Sequence, residues 1–470
     1  MAFNATAVGR VRTGGNAANG TFYDPGISGA GTDYTQQDAA QATWTSSLSM
    51  AGTSTLTDSG SNNLFTSAMI GNAVKVGSLF YFITAYTNAN SVTVDRSDTF
   101  TNQSGRLGGA AADPWTIFNN SGATHSKVVP GNTIYIRGSG SRDPGSADYS
   151  RSGYQSPING TSTNYVHLIG ENGRPRLSAD GLMMFGGTYI RYQSLYLDAT
   201  GTSNASLGVI HIHDRCIVDD CKINLLNNAV VGIRAEQSGN RITRNEIIGH
   251  TTTPTASGGS YGLQLNGLGG LAEGNTICNC KSHGIYINAG VTVRKNLVKA
   301  CAEDGIYINS IGNIDGSAVG NTVDANLGHG INVQSTVTLA SGLIRNNLIT
   351  NHTASGKVGL RIAAGTTAEN DAIAHGCDYN RFYNNTSHYS GISAGANDAT
   401  LSADPYTDDS TNDFEPNSTA GGGADVKGVG FPTELPGTNT ASAEDIGASQ
   451  AAAGGGGGGN TYSRGRLVNA

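Results

Sequence analysis

Two short signatures alternate along residues 216–392 and constrain the fold more than any other feature of the chain. The first is an Asn followed two residues later by Ile, Val or Phe, and it begins at Asn245, Asn275, Asn296, Asn321, Asn347 and Asn380, with Cys221 in the same position one unit earlier. The second is a Gly followed at once by Ile or Leu, and it begins at Gly232, Gly262, Gly284, Gly305, Gly330, Gly359 and Gly391. In three successive units the step from Asn to Gly is 9 residues (275 to 284, 296 to 305, 321 to 330). Such regular spacing indicates a structural repeat.

Units of about 21 to 33 residues, each with two or three short β-type runs, predict a solenoid in which each unit is one coil. In the first GIYIN sequence, Ile285 and Ile287 alternate with Tyr286 and Asn288, as expected of a strand with one buried face. The Gly and Asn residues are expected in turns, because they tolerate positive φ. The sequence therefore predicts an all-β fold, a right-handed parallel β-helix.

Stacked coils about 4.8 Å apart would place equivalent residues on top of one another. The recurring asparagines would then form an internal ladder, with side-chain amides bonded to each other and to turn backbone. We call this set the Asn ladder: Asn245, Asn275, Asn296, Asn321 and Asn347. This interpretation assigns them a structural role.

Composition agrees with a β-solenoid and excludes several classes of function. The chain has 470 residues with 67 Gly and only 13% charged residues, which suits a fold of many turns and few helices. A net charge of -7 and a pI near 5.8 argue against a nucleic-acid-binding surface. No apolar run is long enough to span a membrane.

The six cysteines fall inside or beside the repeats. Cys280 and Cys301 stand five residues after Asn275 and Asn296, so they are expected to stack as small core residues in adjacent coils. A disulfide is the alternative. A zinc site is disfavoured because no His or second CxxC pair accompanies them.

The pattern of the chain predicts five segments: a leader or cap (1–48), a small β module with a loop (49–126), the β-helix (127–400), a closing segment (401–453) and a Gly-rich linker with a tail peptide (454–470). Within the leader a short helix is predicted from Gln36 to Trp44. Within the module three strands are predicted up to about Arg96, with a turn at Asn88-Ala-Asn90, followed by a loop from residue 97. The start, MAFNATAVGR, lacks the apolar core of a secretory signal peptide.

Several phrases resemble a known family. VVPGNTIYIRG (128–138), NYVHLIGENGRPRLSA (164–179) and TYIRYQSLYLDA (188–199) resemble the opening coils of pectate-lyase-like right-handed β-helix proteins, and residues 401–420 and 444–450 resemble their closing segment. The leader, the module and the tail also resemble β-helix proteins among phage structural proteins, such as decoration proteins and tail spikes. The resemblance implies the fold and leaves the function open, since enzymes, adhesins and virion proteins share it.

One outward column follows from the repeat, two residues after each repeat Gly. We call it the outer stripe: Arg234, Gln264, Tyr286, Tyr307, Asn332 and Arg361. Aromatic faces beside Arg and amides suit a glycan. The same residues suit a subunit interface, where Tyr and Arg are enriched, or a plain solvated face.

Two further columns flank the stripe. Four residues after the Gly stand Glu236, Asn266, Asn288, Asn309 and Gln334, and directly before it stand Tyr261, His283, Asp304 and His329, with Glu303 adjacent. The His, Asp, His column could support acid-base chemistry, but its residues are more typical of turns at a coil corner.

The residue types of a glycosidase or a lyase are present without a defining motif. Glu236 could face Asp219, Asp220 or Asp304 as a carboxylate pair, and Asp219-Asp220 with Lys222 is the nearest approach to a calcium and base site. His211 and His213 share a strand face, but no third metal ligand is identifiable. No catalytic residue, metal or cofactor is therefore assigned.

The favoured hypothesis is a virion structural protein, a head or tail decoration or spike, made in the host cytoplasm and using the β-helix surface for assembly or for recognition of a surface glycan. A homotrimer that contacts other virion proteins is expected, with Tyr462, Arg464 and Arg466 of the tail as assembly anchors; a disordered tail is the alternative. A polysaccharide lyase or glycoside hydrolase, and an extracellular or cell-surface adhesin, are the competing functions.

Overall fold

The structure is a computed structural model. It describes residues 8–11, 42–70, 72–77, 79–108, 128–143, 147, 149–152, 159–180, 185–199, 208–226, 231–250, 260–309, 312–313, 317–334, 337–338, 344–363, 376–411, 413–431 and 445–448. Every regular element among these residues is a β-strand or a short 3-10 helix, which confirms the all-β class. No helix in these ranges is long and apolar enough to cross a membrane. The chain divides into two compact units, Met1–Ala179 with Phe185–Tyr196, and Asp180–Met184 with Leu197–Ala470.

The first unit contains the predicted small β module, an antiparallel sheet. Its strands are Ala42–Asp58, Ala73–Val76, Leu79–Asn88 and Ser91–Gly108, with the 3-10 helix Ser67–Met69 between the first two. Their inward side chains, among them Leu48, Leu56 and Tyr81, form one buried cluster.

Two predictions for this region are wrong. Trp44 lies in the first strand, where it packs against Phe65 with ring centroids 5.5 Å apart, so the predicted helix does not reach it; residues 36–41 lie outside the described ranges. The last strand continues to Gly108, because Leu107 alternates into the same core, and the predicted loop therefore does not begin at residue 97.

The first unit also holds parallel strands of a β-helix. Val8–Val11, Thr133–Arg137, Val166–Glu171 and Ile190–Gln193 pair in that order. Ile134, Leu168 and Ile190 are buried inside this sheet. The other strands that lie wholly or partly in the first unit are Tyr149–Ser152, Arg176–Asp180, Phe185–Gly187 and Tyr196–Ala199.

The second unit is a parallel β-helix in which each coil contributes a strand to three sheets. In the first sheet, five strands begin directly after a repeat Gly, and we therefore call it the glycine sheet. It comprises Gly208–Ile212, Val231–Ala235, Leu263–Leu265, Ile285–Ile287, Ile306–Ile308, Ile331–Val333, Leu360–Ile362 and Tyr389–Ser390. The middle sheet comprises Ile217–Asp219, Arg241–Thr243, Gly270–Glu273, Val291–Arg294, Ser317–Val319 and Ile344–Arg345. The asparagine sheet, which follows the ladder positions, comprises Lys222–Asn224, Glu246–Ile248, Thr276–Cys278, Leu297–Lys299, Thr322–Asp324, Leu348–Thr350, Arg381–Tyr383 and Ala399–Thr400. Shorter pairs are Gly312–Asn313 with Val337–Thr338, and Tyr406–Asp408 with Asp413–Pro416, and the 3-10 helices are Asp409–Thr411 and Gly423–Asp425.

Aliphatic columns fill the interior of the coils. Ile285, Ile306 and Ile331 are paired neighbours in the glycine sheet and are completely buried. Each such side chain contributes roughly 1.5 to 3 kcal/mol through its burial. Stability is therefore distributed over the coils.

The repeat glycines are required for close packing rather than for positive φ. A Cβ on Gly284 would lie 2.2 Å from Cγ1 of Val298 and 2.9 Å from the carbonyl oxygen of Gly305 in the next coil. Left-handed backbone occurs instead one residue before the ladder positions, as at Lys295 (φ 53°) and Gly320 (φ 62°). The last predicted repeat Gly is out of register, because Leu360 pairs with Tyr389 and His388 therefore takes the Gly position that Gly391 was expected to fill.

The Asn ladder is continuous. Each rung donates from Nδ2 to Oδ1 of the next, at 2.9 Å from Asn275 to Asn296 and 3.0 Å from Asn296 to Asn321. The backbone N–H of each rung donates to the same oxygen, and each Nδ2 also donates to a carbonyl of the preceding coil. The bonds from Asn245 to Asn275, from Asn321 to Asn347 and from Asn347 to Asn380 complete the run.

All six cysteines are buried, and none of them forms a disulfide. The thiols of Cys280 and Cys301 lie in neighbouring coils, where the hydrogen bond between them and their burial raise the pKa of Cys280 well above its usual value. The column continues with Asn326 and His352, since Cys301 N–H donates to Oδ1 of Asn326 at 2.9 Å and Asn326 Nδ2 lies 3.4 Å from Nε2 of His352.

The described part of the closing segment packs on the outside of the asparagine sheet. Leu401, Tyr406 and Phe414 form a buried cluster with Leu297 and Leu348 of that sheet. Phe414 also lies under the ammonium group of Lys299, 4.8 Å from the ring centroid.

Candidate functional site on the outer face of the glycine sheet

The outer stripe is a single column across six coils. Consecutive Cα partners run from Arg234 to Gln264, Tyr286, Tyr307, Asn332 and Arg361. His211 precedes Arg234 in the same register. The period-2 alternation aims these side chains outward because their neighbours, such as Ile285 and Ile287, fill the interior.

The column directly before each repeat Gly closes the coil corners. Nδ1 of His283 accepts the backbone N–H of Asp304 at 3.1 Å, Oδ1 of Asp304 accepts that of His329 at 2.6 Å, and Nδ1 of His329 accepts that of Val358 at 3.1 Å. Burial lowers the pKa of both His283 and His329, which favours the neutral rings that such acceptors need. The geometry fits the turn role better than acid-base chemistry, because these imidazole lone pairs are already occupied.

Four aromatic rings stack beside these corners. Tyr286 has Tyr261 of the preceding coil at 4.7 Å and Tyr307 of the following coil at 5.5 Å between centroids, both nearly parallel. His283 stacks on Tyr307 at 4.2 Å. Both faces of the Tyr286 ring are therefore covered, and only its edge and hydroxyl are available to a ligand. A sugar stacked on this ring, as the sequence suggested, does not fit the arrangement.

Polar contacts fix the C-terminal end of the outer stripe. Arg361 Nη1 donates to Oδ1 of Asn332 at 3.1 Å, and Asn332 Nδ2 donates to the buried Asp304 at 2.7 Å. In the flanking column Asn309 Nδ2 donates to the hydroxyl of Tyr286, and the Tyr307 hydroxyl donates to Asn309 Oδ1 at 3.3 Å. The stripe is thus a connected network rather than a row of independent side chains.

The N-terminal end of the outer stripe carries an ion pair. Glu236 accepts from Nε of Arg234 and from Nδ2 of Asn266, the latter at 3.0 Å. Burial alone would raise the pKa of Glu236, but the hydrogen bonds from Asn266 and Arg234 lower it, so the carboxylate stays ionised. The charge of Arg234 is thereby balanced within the protein.

Polar atoms around this ion pair have no hydrogen-bond partner. They are both ring nitrogens of His211, Oε1 of Gln264 and Oδ1 of Asn266, all of them buried. Nε2 of His211 lies 3.4 Å from Oε1 of Glu236, and the His211 ring stacks on His213 with centroids 5.0 Å apart. Burial lowers the pKa of His211, so the neutral ring presents one donor and one acceptor.

The other candidate groups from the sequence have structural partners. The buried Asp219 accepts from Arg244 and from the hydroxyl of Thr243, and Lys222 lies 3.5 Å from Glu246. These pairs join adjacent coils. Among the described residues no cluster of three His, Cys, Asp or Glu side chains could hold a metal ion. The tail residues Tyr462, Arg464 and Arg466 lie outside the described ranges.

The chain resembles several proteins of solved structure. It is similar to the solved structures of pectate lyase Pel9A (12% identity, TM-score 0.39, 71% of this chain and 94% of that one), of a mannuronic acid specific polysaccharide family 6 lyase from human gut microbiota (13%, 0.26, 59% and 79%) and of the Azotobacter vinelandii mannuronan C-5 epimerase AlgE4 A-module (11%, 0.23, 57% and 85%). No curated protein matches the chain by sequence. Residues 198–338, which lie within the second unit, match the family described as right handed beta helix region, and this match confirms the predicted right-handed parallel β-helix.

Proposed function

We propose that the protein is a structural surface component that binds a hydroxyl-rich glycan on the outer face of the glycine sheet. One observation carries this proposal: His211 on one coil, and Gln264 and Asn266 together two coils further on, hold polar atoms without partners on either side of the Arg234 coil. Each such atom costs about 1–3 kcal/mol while it lacks a hydrogen bond. A ligand that supplies those bonds would gain that free energy.

Sugar hydroxyls match these atoms chemically. The two amide oxygens require donors, the neutral His211 ring requires one donor and one acceptor, and a hydroxyl group provides both. The side chains of His211, Gln264 and Asn266 are half-buried, and their terminal torsions are soft. A small rotation therefore brings each atom to an incoming hydroxyl.

The charge pattern favours a neutral sugar at this end of the stripe. Arg234 is paired with Glu236, and both lie among uncharged amides and imidazoles. An acidic sugar would have to compete with Glu236 for the guanidinium group. An uncharged sugar needs only the hydrogen bonds that are open.

The role in a virion rests on the sequence resemblance to phage decoration and spike proteins. In this proposal the coils provide a stiff support for the glycan-binding face, while homotrimer formation and contacts with other virion proteins provide attachment. Mass spectrometry of purified phage particles tests the location directly. If the protein is absent from the particles, an extracellular or cell-surface adhesin becomes the better proposal.

The binding test uses the full chain and a panel of neutral and acidic polysaccharides in isothermal titration calorimetry. We expect binding to a neutral polymer, and about tenfold weaker binding by Gln264→Ala or Asn266→Ala, because each loses a bond worth about 1–1.5 kcal/mol. The control is Asn384→Ala, an exposed Asn outside the glycine sheet. Lack of binding across the panel would refute the proposal. Release of unsaturated or reducing ends would establish the lyase or hydrolase alternative instead.

A further inference from the structure

One coil combines polar and apolar groups on the outer face of the glycine sheet. Leu265 and Gly267 are buried, whereas Gln264, Asn266 and Leu268 are not. This alternation directs the latter three side chains to the outer face. Leu268 is 59% exposed, more than any other large hydrophobic residue that the structure describes. A ligand on Gln264 and Asn266 therefore has an open apolar side chain beside it.

The amide of Asn266 has a fixed orientation. Its Nδ2 donates to Oε2 of Glu236 at 3.0 Å. Because an ionised carboxylate can only accept, the oxygen and nitrogen of this amide cannot exchange places. Oδ1 of Asn266 consequently stays an acceptor without a donor, as does Oε1 of Gln264. The coil thus requires two hydrogen-bond donors from a ligand and offers each of them an amide oxygen.

We propose that the sugar bound to this coil carries an N-acetyl group, an inference that rests on the glycan-binding function proposed above. The N–H of an acetamido group only donates, so it matches the amide oxygen of Asn266. A neighbouring ring hydroxyl can donate to Gln264. The methyl of the same acetamido group can cover Leu268, which removes apolar surface from water.

The common alternatives to the acetamido group fit this coil less well. A hydroxyl group can donate to Asn266 but leaves Leu268 in water. A carboxylate supplies no donor to either amide oxygen and is repelled by Glu236. An ammonium group supplies donors but has no apolar part that could cover Leu268. The acetamido group is uncharged and meets both requirements of the coil.

The test compares sugars that differ only in this substituent. Methyl glycosides of N-acetylglucosamine, N-acetylgalactosamine and N-acetylmannosamine are each titrated beside their hydroxyl counterpart onto the full chain and followed by saturation-transfer NMR. We expect at least one N-acetyl sugar to bind about fourfold or more tightly than its counterpart, because a methyl group leaves water in that complex.

Two outcomes of this comparison overturn the inference: no N-acetyl sugar binds, or no pair shows the preference. If neutral polysaccharides bind without any such preference, the glycan-binding function stands and only the N-acetyl assignment fails. If neither a polysaccharide nor a sugar binds, both fail.

Leu268→Ser tests the apolar contact itself. It should abolish the preference by weakening binding of the N-acetyl sugar about fourfold, while binding of its hydroxyl counterpart stays unchanged. Leu327→Ser, at an exposed leucine of a different coil, is the matched control and should bind both sugars as the wild type does. Asn266→Ala should weaken binding of both sugars about tenfold, because a hydrogen bond to each is lost. A preference that survives Leu268→Ser would overturn the inference.

Discussion

Asn380 donates twice to one oxygen of Asp398, through its backbone N–H at 2.6 Å and through its side-chain Nδ2 at 3.2 Å. Asp398 thus occupies the position that the next Asn of the ladder would take. All rungs donate in the same direction along the coils, toward this carboxyl group. Aligned amide hydrogen bonds polarise one another, so a strong acceptor at this end supports the whole ladder.

Replacing Asp398 tests this role. Its second oxygen accepts the Tyr389 hydroxyl at 3.0 Å and the Gly395 N–H at 2.9 Å. Asp398→Ala leaves these donors and those of Asn380 without their acceptor, and we expect a loss of at least about 3 kcal/mol in the free energy of unfolding. Asp398→Asn keeps one acceptor oxygen and should lose less. Urea denaturation measures both, with the exposed Asp425→Ala as control; equal stability of Asp398→Ala and wild type would contradict the role.

A middle rung of the Asn ladder should also be sensitive to substitution, though less so than its end. Oδ1 of Asn296 accepts two hydrogen bonds from Asn275, and its Nδ2 donates to Ala272 and Asn321. Asn296→Ala should lower the free energy of unfolding by roughly 1 to 3 kcal/mol, because buried partners stay unsatisfied. The control is Asn288→Ala, at an exposed position of the same coil, which should change stability by less than about 0.5 kcal/mol. Similar urea midpoints for the two variants would show that the ladder contributes little.

Repetition made the β-helix predictable. The spacing of Asn and Gly specified the register of Asn275 with Asn296 and of Tyr286 with Tyr307, since equivalent residues of a solenoid must stack. Asp398 could not be found this way, because it ends the ladder with another residue type outside the repeat signature. The correct role of Gly284 also needed coordinates, as a sequence does not show that a core Val from the same coil fills the space beside its Cα.

The candidate sites were less predictable, because a repeat specifies register and does not specify side-chain directions. The column of the outer stripe follows from register alone, but the covered faces of Tyr286 and the unpartnered side-chain oxygen of Gln264 depend on side-chain directions.

Gly284 provides a steric test of coil packing. Because a Cβ would lie 2.2 Å from a methyl group of Val298, Gly284→Ala should overpack the core and lower the unfolding free energy by about 1–3 kcal/mol. Gly270→Ala is the matched control, since its Cβ would meet nothing closer than 3.4 Å and its φ is not left-handed. Val298→Ala in the Gly284→Ala background should restore part of the loss. If Val298→Ala only adds a further loss of unfolding free energy to that of Gly284→Ala, the contact between the two side chains is not the cause of the first loss.

Asp324 should make the packing of the closing segment on the asparagine sheet depend on pH. It accepts from the Thr350 hydroxyl at 2.7 Å and from Asn351 Nδ2 at 2.8 Å, and the Thr350 oxygen lies 2.7 Å from the buried hydroxyl of Tyr406. Burial raises the pKa of Asp324 to about 6, against the opposing effects of these hydrogen bonds and of Lys299, while Asp409 adds to the rise.

A carboxyl group whose folded pKa is raised favours the folded state below its unfolded pKa, near 4, and that contribution is lost as the pH rises through 6. Wild type should therefore lose up to about 3 kcal/mol relative to Asp324→Asn between pH 4 and pH 7. Hydrogen exchange of residues 401–431 at both pH values measures the effect where the segment packs. Glu415→Gln, an exposed carboxyl in the same segment, should follow the wild type. If Asp324→Asn shows the same pH dependence as wild type, a different group governs this interface.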